Sequence, residues 1–259
     1  MKVSRSIREN SLTVRTAAAL STIRLGIACP MANEGDNAVE FVRSVLAQCD
    51  AFPQATFFAV LDKASTDNTL DLLQAFARTE PRLRVVWAPE NRCVVDAYVR
   101  GYRECLAAGC HWILEIDAGF SHQPEDLPAF FQAMQQGYDC VFGSRFMKGG
   151  DIADGSFKRT LVSRSGTLLA NAFLGTKLTD MTSGFELFSR EVLEMVLARG
   201  IQSRAHFFQT EIKTYCRNLK ITEVPIHYRS PSPRLTGSAV TEALRQLRRL
   251  FRLRLAGQL

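Results

Sequence analysis

From residue 24 to residue 143 the chain alternates between short apolar runs and longer segments whose apolar residues recur at helical spacing. Leu25–Cys29, Thr56–Leu61, Leu83–Trp87, His111–Ile116 and Tyr138–Gly143 are the apolar runs. Each is too short for a helix and reads as a strand buried on both faces. Between them, Asn37–Gln48 places Val39, Val42, Val45 and Leu46 at helical intervals, and Asp67 is placed to cap a helix through Ala77 that carries Leu70, Leu73 and Phe76 on one face. Val94–Ala108 is a helix closed by Gly109, and Pro124–Gln136 a helix with Pro at its start. Parallel strands need crossover connections, so this alternation predicts an α/β fold: a mainly parallel sheet with helices on both faces. No G-x-G-x-x-G follows the first strand, which excludes the dinucleotide-binding fingerprint.

Beyond residue 145 the regularity loosens. Lys148–Ser156 reads as a loop, Arg159–Leu174 as a helix and Gly184–Ser189 as a strand. Glu191–Ala198 and Phe207–Arg217 follow as helices, Ile221–Tyr228 as a strand and Ser230–Gly237 as a loop. Residues 24–238 are read as one domain, since 259 residues suffice for a single large core. Residues 1–23 read as a basic arm; over residues 1–25, Lys2, Arg5, Arg8, Arg15 and Arg24 stand against Glu9 alone. Its apolar stretch is too weak for a secretory signal, although the composition is also that of a mitochondrial transit peptide. Residues 239–259 form a basic amphipathic helix: Leu244, Leu247, Leu250, Phe251 and Leu255 run against Arg245, Arg248, Arg249, Arg252 and Arg254. With a net charge of +6 overall, the body between the two basic ends is acidic. No apolar run approaches the roughly 18 residues of a membrane span. Seven cysteines without a C-x-x-C pair argue against a zinc ribbon or a disulfide scaffold and fit reduced thiols in a cytosolic setting.

In an open α/β sheet, ligands bind beyond the carboxyl ends of the strands. The first strand ends in Pro30-Met31-Ala32-Asn33-Glu34, the second in Asp62 followed by Ser65-Thr66-Asp67. The fourth ends in Asp117-Ala118-Gly119-Phe120-Ser121-His122, the fifth in Gly143-Ser144-Arg145. Several acids and an arginine converging on one rim mark a polar site rather than a packing requirement.

The ordered set P-x-x-N-E, D-x-x-S-T-D-x-T, D-A-x-x-S-H-x-P-E-D, G-S-R-F, D-x-T-S-G-F and F-Q-x-E, spread from Leu25 to Gly237, resembles the inverting family 2 glycosyltransferases of GT-A fold. Within them it is most similar to the dolichyl- and polyprenyl-phosphate mannose synthases. The resemblance implies transfer of a hexose of the mannose or glucose class from a nucleotide-sugar donor to a polyprenyl phosphate, with inversion. It implies donor contacts from Pro30, Asn33, Glu34, Asp62, Lys63 and Asp117, with Asp117 as the acid that holds Mg²⁺ or Mn²⁺. It implies an acceptor-phosphate site of Arg145, Arg159, Ser163 and Arg234, and a sugar pocket of Phe208, Gln209 and Glu211. Asp180 falls near the sugar, so Asp117, Arg145 and Asp180 are the catalytic candidates. Arginine suits a phosphate acceptor because its guanidinium binds bidentately and stays charged, and a phosphate nucleophile needs no strong base.

The sequence departs from that pattern in places. Lys63-Ala64 stands where the family has D-G, and Gly119 stands where it has the second acid of D-A-D. Asp117 then holds the cation with phosphate oxygens and water, or Lys63 or Arg92 supplies the charge, or the protein binds nucleotide-sugar without turnover. A glycan or small-molecule acceptor is the alternative, with Asp180 or Glu211 as base. The basic helix 240–259 suits peripheral contact with the inner, cytoplasmic face of a membrane; its alternative is packing on the domain with its arginines in water. Nucleic-acid binding rests only on the basic ends, without interleaved aromatics, and is set aside.

Overall fold

The computed structural model describes residues 20–153, 157–229 and 237–259, and the side chains of all of these except Phe157, Lys158, Arg159 and Ser238. The N-terminal half follows the expected alternation: β1 (Leu25–Pro30), α1 (Ala38–Gln48), β2 (Thr56–Leu61), α2 (Thr69–Ala77), β3 (Leu83–Trp87), α3 (Val94–Ala107), β4 (Trp112–Glu115), a 3₁₀ turn (Pro124–Asp126), α4 (Leu127–Met134) and β5 (Cys140–Ser144). The second half adds β6 (Asp151–Ile152), α5 (Phe157–Leu174), β7 (Glu186–Ser189), α6 (Arg190–Arg199), α7 (Phe207–Cys216), β8 (Ile221–Pro225), β9 (His227–Tyr228) and α8 (Gly237–Leu255).

Among the described residues, seven strands form one sheet in the order β3-β2-β1-β4-β7-β5-β8. All neighbours are parallel except β7, which runs antiparallel between β4 and β5. Alternation along each strand sends side chains to two cores. Ile27, Cys29, Phe57, Ala59 and Leu114 face α1 and α4 with Phe41, Val45 and Phe130. Ala28, Phe58, Val60 and Ile113 face the other side, with Tyr102, Phe208, Ile212 and Leu250. Strands buried on both faces explain why these segments lack polar alternation.

Four expectations need adjustment. The segment 221–228 is two strands: β8 pairs with β5, and beyond Ile226 the chain leaves the sheet so that β9 pairs with β6. The loop expected at 148–156 therefore contains β6. Helix α2 begins after Asp67, whose Oδ1 accepts the Thr69 N–H at 3.0 Å and the Thr69 hydroxyl at 2.6 Å, so the acid anchors the first turn from just outside it. The C-terminal helix docks on the domain. Leu247, Leu250 and Phe251 join the second core, while Val240, Leu244 and Leu255 stay exposed. Of the basic arm, residues 1–19 lie outside the described residues; Leu20 and Ile23 pack into the first core.

Candidate active site

A cleft of about 1230 Å³ opens at the carboxyl ends of β1, β2, β4 and β5. Its polar end is floored by Pro30, Glu34, Asp62, Lys63, Asn91 and Arg92 from the loops after β1, β2 and β3. Asp62 shapes this end: its Oδ1 accepts the Ala64 N–H at 2.8 Å and its Oδ2 the Asn91 amide at 3.3 Å. Asn33, expected to touch the donor, does not line the cleft. Its Nδ2 donates to Ala64 O at 3.1 Å and its Oδ1 accepts the Thr66 N–H at 2.9 Å, so it ties the β1 loop to the β2 loop. A backbone φ of 59° at Asn33 turns the amide into that position, a conformation that Asn tolerates.

Asp117 stands at the centre of the rim, just past β4. Tyr98, from the middle of α3, donates its hydroxyl to Asp117 Oδ1. On the other side His122 is wholly buried and stacked on Phe185 at 4.8 Å. Its Nδ1 accepts the Asp117 backbone N–H at 3.1 Å, which leaves the proton on Nε2, 3.8 Å from Asp117 Oδ2. Burial holds the imidazole below its ordinary pKa, against the pull of the Asp117 charge. Neutral His122 therefore orients Asp117 rather than exchanging a proton with it.

Beside Asp117 lies Arg145, buried and fixed. Its Nε donates to Asp180 Oδ2 at 2.7 Å; its Nη2 donates to Asp180 Oδ1 at 2.9 Å and to Thr182 Oγ1 at 2.6 Å. Among the described residues Nη1 makes no hydrogen bond, so its two N–H groups remain for a ligand in the cleft that Arg145 lines. Burial pushes the Asp180 carboxyl up, but the charge and hydrogen bonds of Arg145 outweigh it and hold Asp180 below its ordinary value. Asp180 has no exposed surface and does not line the cleft. Expected near the sugar, it is instead turned away from the cleft and paired with Arg145. Glu223 of β8 fixes the segment in turn, accepting the backbone N–H groups of Thr179 and Asp180 at 2.9 and 3.0 Å.

Beneath the cleft, β4 and β7 set Glu115 opposite Glu186. Both are wholly buried. Glu115 accepts from Tyr102 and from the Gln209 amide; Lys213 lies 3.1 Å from Glu186 and donates to Ser183 O at 2.7 Å and to Asp180 O at 3.1 Å. Burial, reinforced by Glu186, pushes Glu115 well up, and burial raises Glu186 to about 7 against the pull of Lys213. Through these contacts Gln209 and the 180–183 turn are held in place on the cleft wall.

Phe208 and Gln209 line the cleft as expected, but Glu211 does not. Two residues beyond Gln209 on a helix, it points away from the cleft. Its carboxylate accepts the Ser203 N–H at 2.9 Å and the Tyr215 hydroxyl at 2.7 Å, and Arg249 of α8 closes over it. Asp180 and Glu211, the bases considered for a neutral acceptor, are thus both outside the cleft. Ser163 lines it; the Arg159 side chain and all of Arg234 lie outside the described residues. Tyr98, His122, Glu115 and Lys213 were not singled out as site residues from the sequence. His122 carried a signal through the D-A-x-x-S-H motif, and Lys213 another, as a lone cation between Thr210 and Thr214 on a buried helix.

The polar end continues into an apolar one. Leu161, Val162 and Leu169 of α5 face Val240, Leu244 and Leu247 of α8 across the same cleft. The glycosyl transferase family 2 model matches residues 27–197, which spans β1 to α6 and takes in the Glu34, Asp62, Asp117, Arg145 and Asp180 positions. The chain belongs to glycosyl transferase family 2. The family 2 relatives include an undecaprenyl-phosphate mannosyltransferase of Micrococcus luteus, 32% identical over 75% of this chain and 82% of that protein. A polyprenol monophosphomannose synthase of Mycolicibacterium smegmatis is 29% identical over 91% of this chain and 88% of that one. Among solved structures, glucosyl-3-phosphoglycerate synthase of Mycobacterium tuberculosis with UDP superposes with a TM-score of 0.66 at 18% identity, covering 91% of this chain and 83% of that one, so the fold is GT-A-like. The same enzyme has been solved with Mn²⁺, UDP-glucose and phosphoglyceric acid, again at a TM-score of 0.66 and 19% identity over 93% of this chain and 83% of that one.

Proposed function

We propose that this family 2 enzyme transfers a hexosyl group from a nucleotide-sugar to a polyprenyl phosphate, with inversion at the anomeric carbon. The observation that carries the reading is the continuity of one cleft. It runs from a polar, carboxylate-bearing floor past Arg145 and Ser163 to an apolar slot between α5 and α8. A phosphate head with a hydrocarbon tail fits that sequence of surfaces; a small polar acceptor leaves the slot unused. The lipid specificities of the Micrococcus and Mycolicibacterium relatives support it.

In this reading the nucleoside lies on the loops of Asp62, Lys63, Asn91 and Arg92, and the sugar lies against Phe208 and Gln209. The acceptor phosphate is held by the open Nη1 edge of Arg145 with Ser163, Arg159 and Arg234. An acceptor oxygen bonds to the anomeric carbon as the bond to the nucleoside diphosphate breaks, and no proton has to be removed. Arg145 brings an anion toward an anionic donor, and its own orientation is fixed in advance by Asp180. A divalent cation on the donor diphosphate supplies charge neutralisation for the leaving group. The residues present fit such a cation: Asp117 faces the cleft, and a nucleotide-bound Mg²⁺ needs only one or two carboxylates beside phosphate oxygens and water.

No described helix is long and apolar enough to cross a membrane. The slot instead opens beside exposed Leu161, Leu168 and Phe173 of α5 and Leu244 of α8, and the exposed Arg245, Arg248 and Arg252 also lie on α8. This surface suits peripheral contact with an anionic bilayer holding the acceptor. The test is incubation with radiolabelled nucleotide-mannoses and nucleotide-glucoses, with short-chain polyprenyl phosphate or 3-phosphoglycerate as acceptor. Label in the solvent-extracted lipid is expected; label only in phosphoglycerate overturns the lipid reading.

A further inference from the structure

Glu34, expected among the donor contacts, lines the polar end of the cleft beside Gly119. Gly119 has a φ of +68°, and a Cβ built on it would fall 2.6 Å from Glu34 Oε2 and 3.1 Å from Oε1. The Glu34 carboxylate therefore occupies the space in which a side chain at position 119 would begin. Position 119 is two residues from Asp117, and an acid there would share the cleft with it. We infer that Glu34, reaching across from the β1 loop, supplies the second carboxylate of the cation site in the space that Gly119 leaves open. The inference rests on the donor-site reading above and specifies which residues would hold the donor's cation.

Three observations support it. First, the carboxylate is delivered by a fixed backbone. The Glu34 N–H donates to Thr69 Oγ1 at 2.8 Å, and its carbonyl accepts the N–H groups of Asn37 and Ala38 at 2.9 and 2.7 Å, at the entrance to α1. The neighbouring Asn33 is laced to the β2 loop on the other side. Second, the charge is uncompensated. Glu34 is only partly exposed. Among the described residues its carboxylate has no hydrogen-bond donor and no ion-pair partner, whereas Asp67 spends its own oxygens on Gly35 and Thr69. Two carboxylates sharing a cleft repel unless a cation lies between them. Third, the donor set is chemically apt: two carboxylate oxygens with diphosphate oxygens and water make an all-oxygen shell for a hard divalent cation. Glycine at 119 is then a consequence of the arrangement, because any larger residue would collide with the carboxylate that replaces it.

The test measures free Mn²⁺ by electron paramagnetic resonance during titration of the protein with Mn²⁺ and UDP, repeated with GDP, so the readout is binding rather than turnover. Wild type is expected to take up Mn²⁺ with one of the two nucleotides. Glu34→Gln, which keeps the shape of the side chain, is expected to weaken that uptake by about tenfold or more. Its affinity for the same nucleotide without metal should not fall, because the substitution removes a negative charge from the cleft that receives the diphosphate. A second pair of variants guards against local misfolding. Gly119→Asp on the Glu34→Ala background returns the acid to the 117–119 turn, where Asp tolerates the positive φ, and should recover uptake relative to Glu34→Ala alone. Wild-type uptake in Glu34→Gln, or no recovery in the double variant, overturns the inference. Absence of Mn²⁺ uptake by wild type that still transfers sugar to lipid overturns it too and leaves the transferase reading intact; Mn²⁺ uptake without transfer does the reverse.

Discussion

Asp180 grips Arg145 through two of its guanidinium nitrogens, at 2.7 and 2.9 Å, and leaves the third facing the cleft. The pair divides one arginine into a structural edge and a binding edge. Asp180→Asn keeps the shape and removes the counter-charge of a buried cation, so it should destabilise the fold by about 3–5 kcal/mol, read from urea denaturation. Arg145→Lys retains a charge but cannot hold Asp180 and a phosphate at once. It should raise KM for polyprenyl phosphate at least about tenfold, with KM for the nucleotide-sugar nearly unchanged. Equal changes in both constants would count against the assignment of Arg145 to the acceptor.

The C-terminal helix makes a second buried contact, between Arg249 and the wholly buried Glu211. Arg249→Ala should cost about 3 kcal/mol of stability, because Glu211 is left without its cation. Arg248→Ala, on an exposed position of the same helix, should stay within about 0.5 kcal/mol of wild type. Matching midpoints for the two variants in urea would show that α8 is not held through Glu211.

The Glu115–Glu186 pair predicts a pH dependence. Burial raises Glu186 from its ordinary 4.5 to about 7, and Glu115 is raised as well. The folded state then binds more protons than the unfolded chain between those values, so the unfolding free energy should fall as pH rises from about 4.5 to about 7. The Glu186 contribution is fully present below that window and lost above it, and Glu115, raised well above its ordinary value, acts in the same sense. Glu186→Gln should flatten this part of the profile, and an unchanged slope would remove the pair as its source. Asp180, with its lowered value, works in the opposite sense at lower pH: its contribution is lost as pH falls through its folded pKa, which bounds the profile on the acid side.

Leu161 and Leu244 flank the apolar slot and are 54% and 58% exposed. Glutamate at both should leave stability within about 0.5 kcal/mol. It should lower co-sedimentation with anionic vesicles and raise KM for long-chain polyprenyl phosphate more than for a short-chain one. Unaltered vesicle binding would place the membrane surface elsewhere.

The N-terminal half was legible because its strands are buried on both faces and its helices carry one apolar stripe, so local pattern and tertiary environment agree. β7 was legible as a strand but not as the antiparallel one between β4 and β5, since nothing within Glu186–Ser189 encodes the partners on either side. The split at Ile226 was hidden because apolar residues continue across it. In the site, Asp117 and Arg145 were readable from strand-end motifs. Tyr98 was not, since its spacing within α3 is that of a core residue and only the fold brings its hydroxyl to Asp117. Glu211 was misread because F-Q-x-E is one motif in the sequence, whereas helical geometry sends Gln209 and Glu211 to different sides.

The lock between Glu211 and Arg249 also orders events on the ribosome. The acid precedes its cation by 38 residues, which at about 5–20 residues per second is a delay of roughly 2–8 seconds. During that interval the nascent chain can assemble most of its sheet, but a buried Glu211 would have hydrogen-bond donors from Ser203 and Tyr215 and no cation. The full set of partners around Glu211 is thus complete only once α8 has been synthesised.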